Sequence, residues 1–313
     1  MPAPRAARSS ISIERPGYPS VEKNAAVDSN DRLFNAMTVD IEEYFQVSAF
    51  AGIVDRGDWD TLQSRVEASV DRLLELFAAH DARCTFFTLG WVAERHKGMM
   101  ERIVDAGHEV ASHGYCHQRA TDQTPTQFRE DVRRTKAILE DVAGTAVSGY
   151  RAASFSFAET NPWTHEILAD EGYEYSSSVY PVRHDHYGIP GAPRYPYRPL
   201  SDAALVEFPM STVRVLDRNL PCSGGGYFRL LPYGLSRWAL RRVNRADRQP
   251  AVFYFHPWEI DPGQPRTPGL GLKTRFRHYV NLDSMEQKLA RLLADFAWDR
   301  MDRVLRSAAG RGA

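Results

Sequence analysis

Two imidazoles four residues apart, His113 and His117, can converge on one metal ion where the backbone between them is helical or tightly turned. Upstream lie the carboxylates Asp40 and Glu42, whose spacing of two turns both side chains the same way on a strand, with Glu43 next in line. Arg151 and His256 complete the set of chemistry-bearing residues at strand ends. Each has an ordinary structural explanation when taken alone. A lone histidine there is usually hydrogen-bonded, a lone arginine is usually in a salt bridge, and Glu42–Glu43 reads as a solvated acidic turn. Together they supply two imidazoles and a carboxylate for a divalent ion with open coordination, a second carboxylate as base, a guanidinium and a further imidazole.

These residues need a scaffold, and the chain alternates between strand-like and helix-like patterns. Leu33–Val39 reads as a first buried strand running into the acidic cluster. Apolar positions from Trp59 to Phe77 keep a helical period behind Asp58 as a cap. Cys84–Leu89 and His108–Ser112 read as strands, with a helix near Met99–Asp105 between them that Gly107 ends. Thr124 opens a helix that Gly144 stops, Ser148–Ala152 is a short strand, and Asn161–Trp163 starts a helix running to Gly172. Tyr173–Val179, Ala204–Pro209 and Ala251–His256 read as further strands. Ser223–Tyr227 reads as a flexible turn, Ser236–Arg245 as a basic helix, and Leu282–Phe296 as a final helix. Such alternation argues for an α/β fold of parallel strands covered by helices, either a barrel or an open sheet.

Length and composition narrow the reading. The 313 residues suffice for one large α/β domain. With 39 basic and 40 acidic residues, the formal charge of −1 gives no reason to expect nucleic acid or an anionic membrane as the main partner. Cys84, Cys116 and Cys222 are odd in number and far apart, which indicates neither a disulfide framework nor a thiolate zinc site and suits a reducing compartment. The sequence has no transmembrane run and no signal-peptide core near its start, so a cytoplasmic location is expected. Residues 1–31 read as a mobile tail, 32–300 as one catalytic domain with its C-terminal helices, and 301–313 as a basic tail.

Four ordered strings carry a family resemblance: Thr38–Glu42, Ser112–His117, Tyr150–Phe155 and Phe253–His256. They resemble the motifs of polysaccharide deacetylases, the NodB-homology enzymes of carbohydrate esterase family 4, and the resemblance covers about residues 33–300. The longer strings Asp40–Gln46, Gly224–Arg229 and His256–Glu259 are similar to a bacterial subgroup associated with exosortase and exopolysaccharide gene clusters. The resemblance implies a distorted (β/α) barrel with its site at the C-terminal strand ends. It also implies hydrolysis of N-acetyl groups from an amino-sugar polymer or its oligosaccharide precursor.

Carried over residue by residue, it makes His113, His117 and Glu42 the ligands of a divalent metal, zinc before others, with Glu43 the alternative carboxylate. Asp40 becomes the base, steadied by Arg151, and His256 the general acid. The backbone N–H of Ser154 would face the oxyanion, Tyr254 would line the acetyl-methyl pocket, and Trp258 would stack on a sugar face. Two departures stand out. Ala153 and Ser154 replace the usual Arg-x-Pro continuation before Phe155, and Tyr175–Ser178 offers only hydroxyls, or nearby Glu174, where an aspartate often steadies the arginine.

Other features are assigned smaller roles. His184–His186 lies in a loop with five prolines between Tyr180 and Pro199 and is read as part of a substrate-contacting lid. Cys116 is read as packing, and Trp163 as core. Two rival functions share the fold: hydrolysis of small amides, and saccharide binding without catalysis.

Overall fold

The computed structural model describes residues 33–184 and 187–310; the expected N-terminal tail, Asp185 and His186 of the proposed lid, and residues 311–313 lie outside them. Ten strands are present among the described residues: β1 (Phe34–Ile41), β2 (Thr85–Thr88), β3 (Glu109–Ser112), β4 (Gly149–Tyr150), β5 (Tyr175–Ser176), β6 (Val206–Glu207), β7 (Thr212–Val215), β8 (Arg218–Pro221), β9 (Val252–Phe255) and β10 (Ala297–Asp299). All but β7 and β8, which form an antiparallel hairpin, belong to one parallel sheet. β1 is its hub, pairing with β10 through Phe34–Ala36, with β9 through Ala36–Val39 and with β2 through Thr38–Ile41. The sheet then continues β2-β3-β4-β5-β6. β1, β2 and β3 are buried almost throughout, as expected of parallel strands covered on both faces.

The sheet curves into a half-barrel, and backbone from Phe208 to Gly224 spans the gap between β6 and β9. Met210 N–H donates to Val179 O at 2.9 Å, Val252 N–H to Ser211 Oγ at 2.8 Å, and Tyr254 N–H to Ser223 O at 2.9 Å. In register, Asp40 lies beside Phe87, Thr88 beside Ser112 and Ser112 beside Tyr150. The residues that follow, Glu42, His113, Arg151 and Ser177, therefore emerge together at the C-terminal rim, where parallel barrels carry their chemistry.

Several expected boundaries shift. The helix anticipated from Trp59 is two elements: a tight 3-10 segment Arg56–Thr61, capped by Asp55, and a helix Val66–Ala79. Asp58 therefore caps nothing; the Glu43 carboxylate instead accepts the N–H groups of Arg65 (2.9 Å) and Val66 (3.2 Å) at the start of the second helix. Thr124 and Gln127 form the capping box of helix Pro125–Ala143, and Gly144 ends it in the left-handed conformation. Ser223–Tyr227 is no flexible turn. It leads into helix Gly225–Leu230, and Ser223, Gly224 and Gly225 are buried. Residues 301–310, expected as tail, form helix Met301–Gly310, with Met301 and Val304 buried beneath the sheet's apolar cluster. The main cause is local: an apolar pair spaced by three in a basic run is too weak a pattern to announce a packed helix.

Candidate active site

Glu42, His113 and His117 converge, all buried, with one potential ligand atom from each lying within 4.8 Å of the others. His113 directs Nδ1 at the carbonyl of Arg151, 2.8 Å away, which fixes the protonated nitrogen and leaves Nε2 as the lone-pair donor. His117 Nε2 lies 3.0 Å from Glu42 Oε2, while its Nδ1 faces Ser48 Oγ at 3.4 Å. Burial pushes His113 below the usual imidazole range and pulls His117 down to about 4 despite Glu42 beside it. Both rings are therefore neutral near pH 7, the form that ligates metal. Glu42 Oε2 is buried and, despite the nearness of His117, accepts no hydrogen bond among the described residues. An orphaned carboxylate oxygen beside two neutral imidazoles fits a divalent cation, and the N,N,O donor set suits zinc.

Glu43 faces away. Besides capping the helix at Val66 it accepts from the Ser64 hydroxyl in a short contact. Strand alternation accounts for the split, since consecutive carboxylates leave β1 on opposite sides.

Asp40 sits beside this cluster, paired through Oδ1 with Arg151 Nη1 at 2.6 Å. Arg151 is fully buried, and every other bond it makes holds it in place: Thr38 Oγ1 at 2.8 Å, Ser177 O at 3.1 Å and Ser177 Oγ at 3.0 Å. The serine run after β5 thus supplies the steadying group, and Glu174 takes no part. Burial alone would raise the Asp40 carboxyl, but Arg151, with His113 and His256, holds it below the usual carboxylate range.

His256, the residue after β9, is half-buried, with Nδ1 2.9 Å from Glu259 Oε1 and Nε2 3.6 Å from Glu42 Oε1. Burial disfavours its cation, yet Glu42 and Glu259 outweigh that and raise it to about 9. Glu259 in turn binds Arg229 Nε at 2.7 Å and is held down to about 2 against burial by Arg229 and His256. Arg229 is buried and donates its remaining N–H groups to the carbonyls of Arg277, His278 and Val280. Glu259 and Arg229 were not singled out from sequence. Each ends a string that carries the subgroup resemblance, Glu259 three residues after His256 and Arg229 at the close of Gly224–Arg229, but neither string assigns it a role.

One expected role changes. Trp258 cannot stack on a sugar, because its ring lies between His256 (5.0 Å) and His278 (4.2 Å), nearly parallel to both. Instead, Trp258 Nε1 donates to Glu42 Oε1 at 3.2 Å and so orients the carboxylate. Gly225 is needed beside it, because a Cβ there would fall 2.2 Å from Glu259 Oε1.

Tyr254 packs edge-on against Phe155 at 4.7 Å, and the two rings make an aromatic wall near Arg151. Ser154 and Phe155 both take left-handed backbone (φ 55 and 51), as does His117 (φ 54). Strained non-glycine residues thus gather at this site. Ser154 Oγ bonds Ser48 Oγ at 2.7 Å, linking the altered third string to the His117 side. A cavity of about 470 Å³ opens beside His117, bordered by Ser48, Arg56, Trp59, Cys116 and Arg119. Burial pushes the Cys116 thiol up, which fits packing rather than ligation. Trp163 packs on Phe128 in the core, and His184 stacks on Tyr187.

Two family models divide the chain between them. Residues 54–176 match the polysaccharide deacetylase model, and residues 177–306 match a domain of unknown function, DUF3473. A peptidoglycan deacetylase of Helicobacter pylori is 34% identical over 113 residues, 36% of this chain and 38% of that protein. A peptidoglycan-N-acetylglucosamine deacetylase of Bacillus cereus is 31% identical over 75 residues, 24% of this chain and 27% of that protein. The matched stretches thus span well under two thirds of these relatives. A crystal structure from Mycobacterium smegmatis, titled for the same family, superposes with a TM-score of 0.58 at 20% identity, covering 93% of this chain and 96% of that one, and shares the fold.

Proposed function

We propose that this chain, which belongs to the polysaccharide deacetylase family through residues 54–176, removes N-acetyl groups from an amino-sugar polymer or its oligosaccharide precursor by metal-assisted hydrolysis. The observation that carries the reading is geometric: the Glu42, His113 and His117 cluster is flanked by Asp40, paired with Arg151, and by His256, paired with Glu259.

Glu42, His113 and His117 would hold the divalent ion, zinc before others. When bound, such an ion polarises the amide carbonyl and lowers the pKa of a water toward about 7. The chain's own residues move the protons. Asp40 takes the proton of the attacking water, kept ionised by Arg151 and aimed by the bonds that fix that guanidinium. His256 delivers its proton to the departing sugar nitrogen as the C–N bond breaks, so that amine rather than amide anion leaves, together with acetate. The Phe155–Tyr254 wall gives the acetyl methyl an apolar side to rest on, and the backbone N–H of Ser154 is the donor we assign to the developing oxyanion.

The names of the curated relatives, which act on peptidoglycan, its N-acetylglucosamine or chitooligosaccharides, suggest the substrate class. Within it, the strings Asp40–Gln46, Gly224–Arg229 and His256–Glu259 favour a polymer of bacterial exopolysaccharide biosynthesis. We place the reaction in the cytoplasm, a setting compatible with three cysteines that form no disulfide. The test is acetate release from N-acetylglucosamine oligomers, with and without chelator. Asp40→Asn should keep its metal and lose turnover by roughly 10²–10⁴-fold. Turnover of small amides without acetate release from oligomers would move the assignment to an amidase. Absence of both, with saccharide binding intact, would move it to a binding protein.

A further inference from the structure

The helix Tyr233–Arg245 lies within the segment matched by the domain of unknown function, and nothing in the deacetylation site uses it. Tyr233, Ser236, Ala239, Leu240 and Val243 bury one side of it and so fix which side faces out. Positions 235, 238, 242 and 245 recur at intervals of three and four and share the outer face. They are Leu235, Trp238, Arg242 and Arg245, with Leu235 51% and Trp238 50% exposed, and Leu230 just ahead of the helix is also exposed.

The charge on this face has one sign. No aspartate or glutamate occurs from residue 218 to 246, whereas arginine stands at 218, 229, 237, 241, 242 and 245, of which Arg229 is buried against Glu259 and the last four lie on this helix. Asp295, from a neighbouring helix, pairs with Arg237 at 3.0 Å and Arg241 at 3.7 Å, and Asp247 pairs with Arg194 at 3.0 Å. No carboxylate among the described residues is paired with Arg242 or Arg245. A shallow hollow of about 420 Å³ runs between Trp238, Arg241, Arg242 and Arg245. An indole, a leucine and a row of arginines on one helix face combine an apolar group for the acyl boundary with cations for phosphate headgroups.

We infer that this face docks the protein on an anionic bilayer surface, Trp238 and Leu235 entering the headgroup layer and Arg242 and Arg245 meeting lipid phosphates. It is surface attachment, because no helix among the described residues is long and apolar enough to cross a membrane. The inference is independent of the metal and of the proposed reaction. The near-neutral composition masks it, since one cationic face is offset by acids elsewhere.

The experiment is flotation of the full chain with phosphatidylcholine vesicles, with and without phosphatidylglycerol. Binding should require phosphatidylglycerol and weaken with salt. Arg242→Gln/Arg245→Gln should weaken it by roughly 30-fold, at about 1 kcal/mol for each arginine. Trp238→Ala should weaken it further at a salt concentration where the charge contribution is screened. Both variants should melt with the wild type and keep its turnover of soluble oligomers. No binding to phosphatidylglycerol vesicles, equal binding to both vesicle types, or unchanged binding in these variants would overturn the inference. Retention on a polyuronate without vesicle binding would overturn it in favour of an acidic polymer.

Discussion

Two buried arginines flank the site, and they act on it in opposite directions. Arg151 touches Asp40 directly, so its positive charge lowers a group that faces the reacting centre. Arg229 is one residue further back: it binds Glu259, and Glu259, together with Glu42, raises His256 against the effect of burial. The same cation, placed at first or second remove, favours an ionised carboxylate on one side and a protonated imidazole on the other. The two assemblies also come from different parts of the chain. Arg151 follows β4 in the segment matched by the deacetylase model, whereas Arg229 and Glu259 lie in the segment matched by the domain of unknown function. The C-terminal segment therefore does more than close the barrel: it holds His256, the acid of the proposed reaction, together with Glu259 and Arg229 behind it.

The contrast can be broken most forcefully at the arginines. Arg151→Gln and Arg229→Gln should each cost about 3–5 kcal/mol of stability, because each leaves a buried carboxylate without its partner. Their kinetics should differ. Arg151→Gln removes the group that keeps Asp40 ionised, so its turnover at neutral pH should fall much further than that of Arg229→Gln, whose His256 keeps Glu259 beside it. Calorimetric melts and acetate release on the same preparations check both parts. Equal kinetic losses would erase the distinction.

A smaller effect is expected between the two assemblies, at Trp258. Trp258→Phe keeps the ring between the two histidines but deletes the bond to Glu42, so metal affinity should drop by about 10–100-fold while the melt barely moves. Competition with a metal-sensitive dye reads that directly. The smallest effect belongs to Ser177→Ala, which removes one of four bonds to Arg151 while leaving the Ser177 carbonyl in place. The loss should be near 1 kcal/mol in the melt, with turnover within several-fold of wild type.

How much of this was legible beforehand differs between the same two regions. Asp40 lies near the end of β1, and Glu42, His113 and Arg151 follow buried strands in register, so apolar runs ending in polar residues mark them. The choice of Glu42 over Glu43 followed from alternation along β1. The acid's support was hidden because it depends on packing between distant segments. Gly225 leaves room for the Glu259 carboxylate and Arg229 reaches three backbone carbonyls near residue 278, and no periodicity records either fact. Trp258 was misjudged for a related reason. A tryptophan beside a strand-end histidine suggests sugar stacking until His278, twenty residues on, covers its other face. β10 and helix Met301–Gly310 escaped notice because short terminal elements carry too few apolar positions to set a period.

The most direct test is the pH dependence of kcat/KM for acetate release, compared between wild type and Glu259→Gln. His256 acts as an acid only while protonated, so wild-type activity should fall on the alkaline side as pH rises through its pKa, to which the bond with Glu259 contributes an upward push. Removing the Glu259 charge lowers that pKa, so the alkaline limb of the variant should move to lower pH while the acid limb, set by Asp40, stays in place. An alkaline limb that does not move in Glu259→Gln would contradict the account.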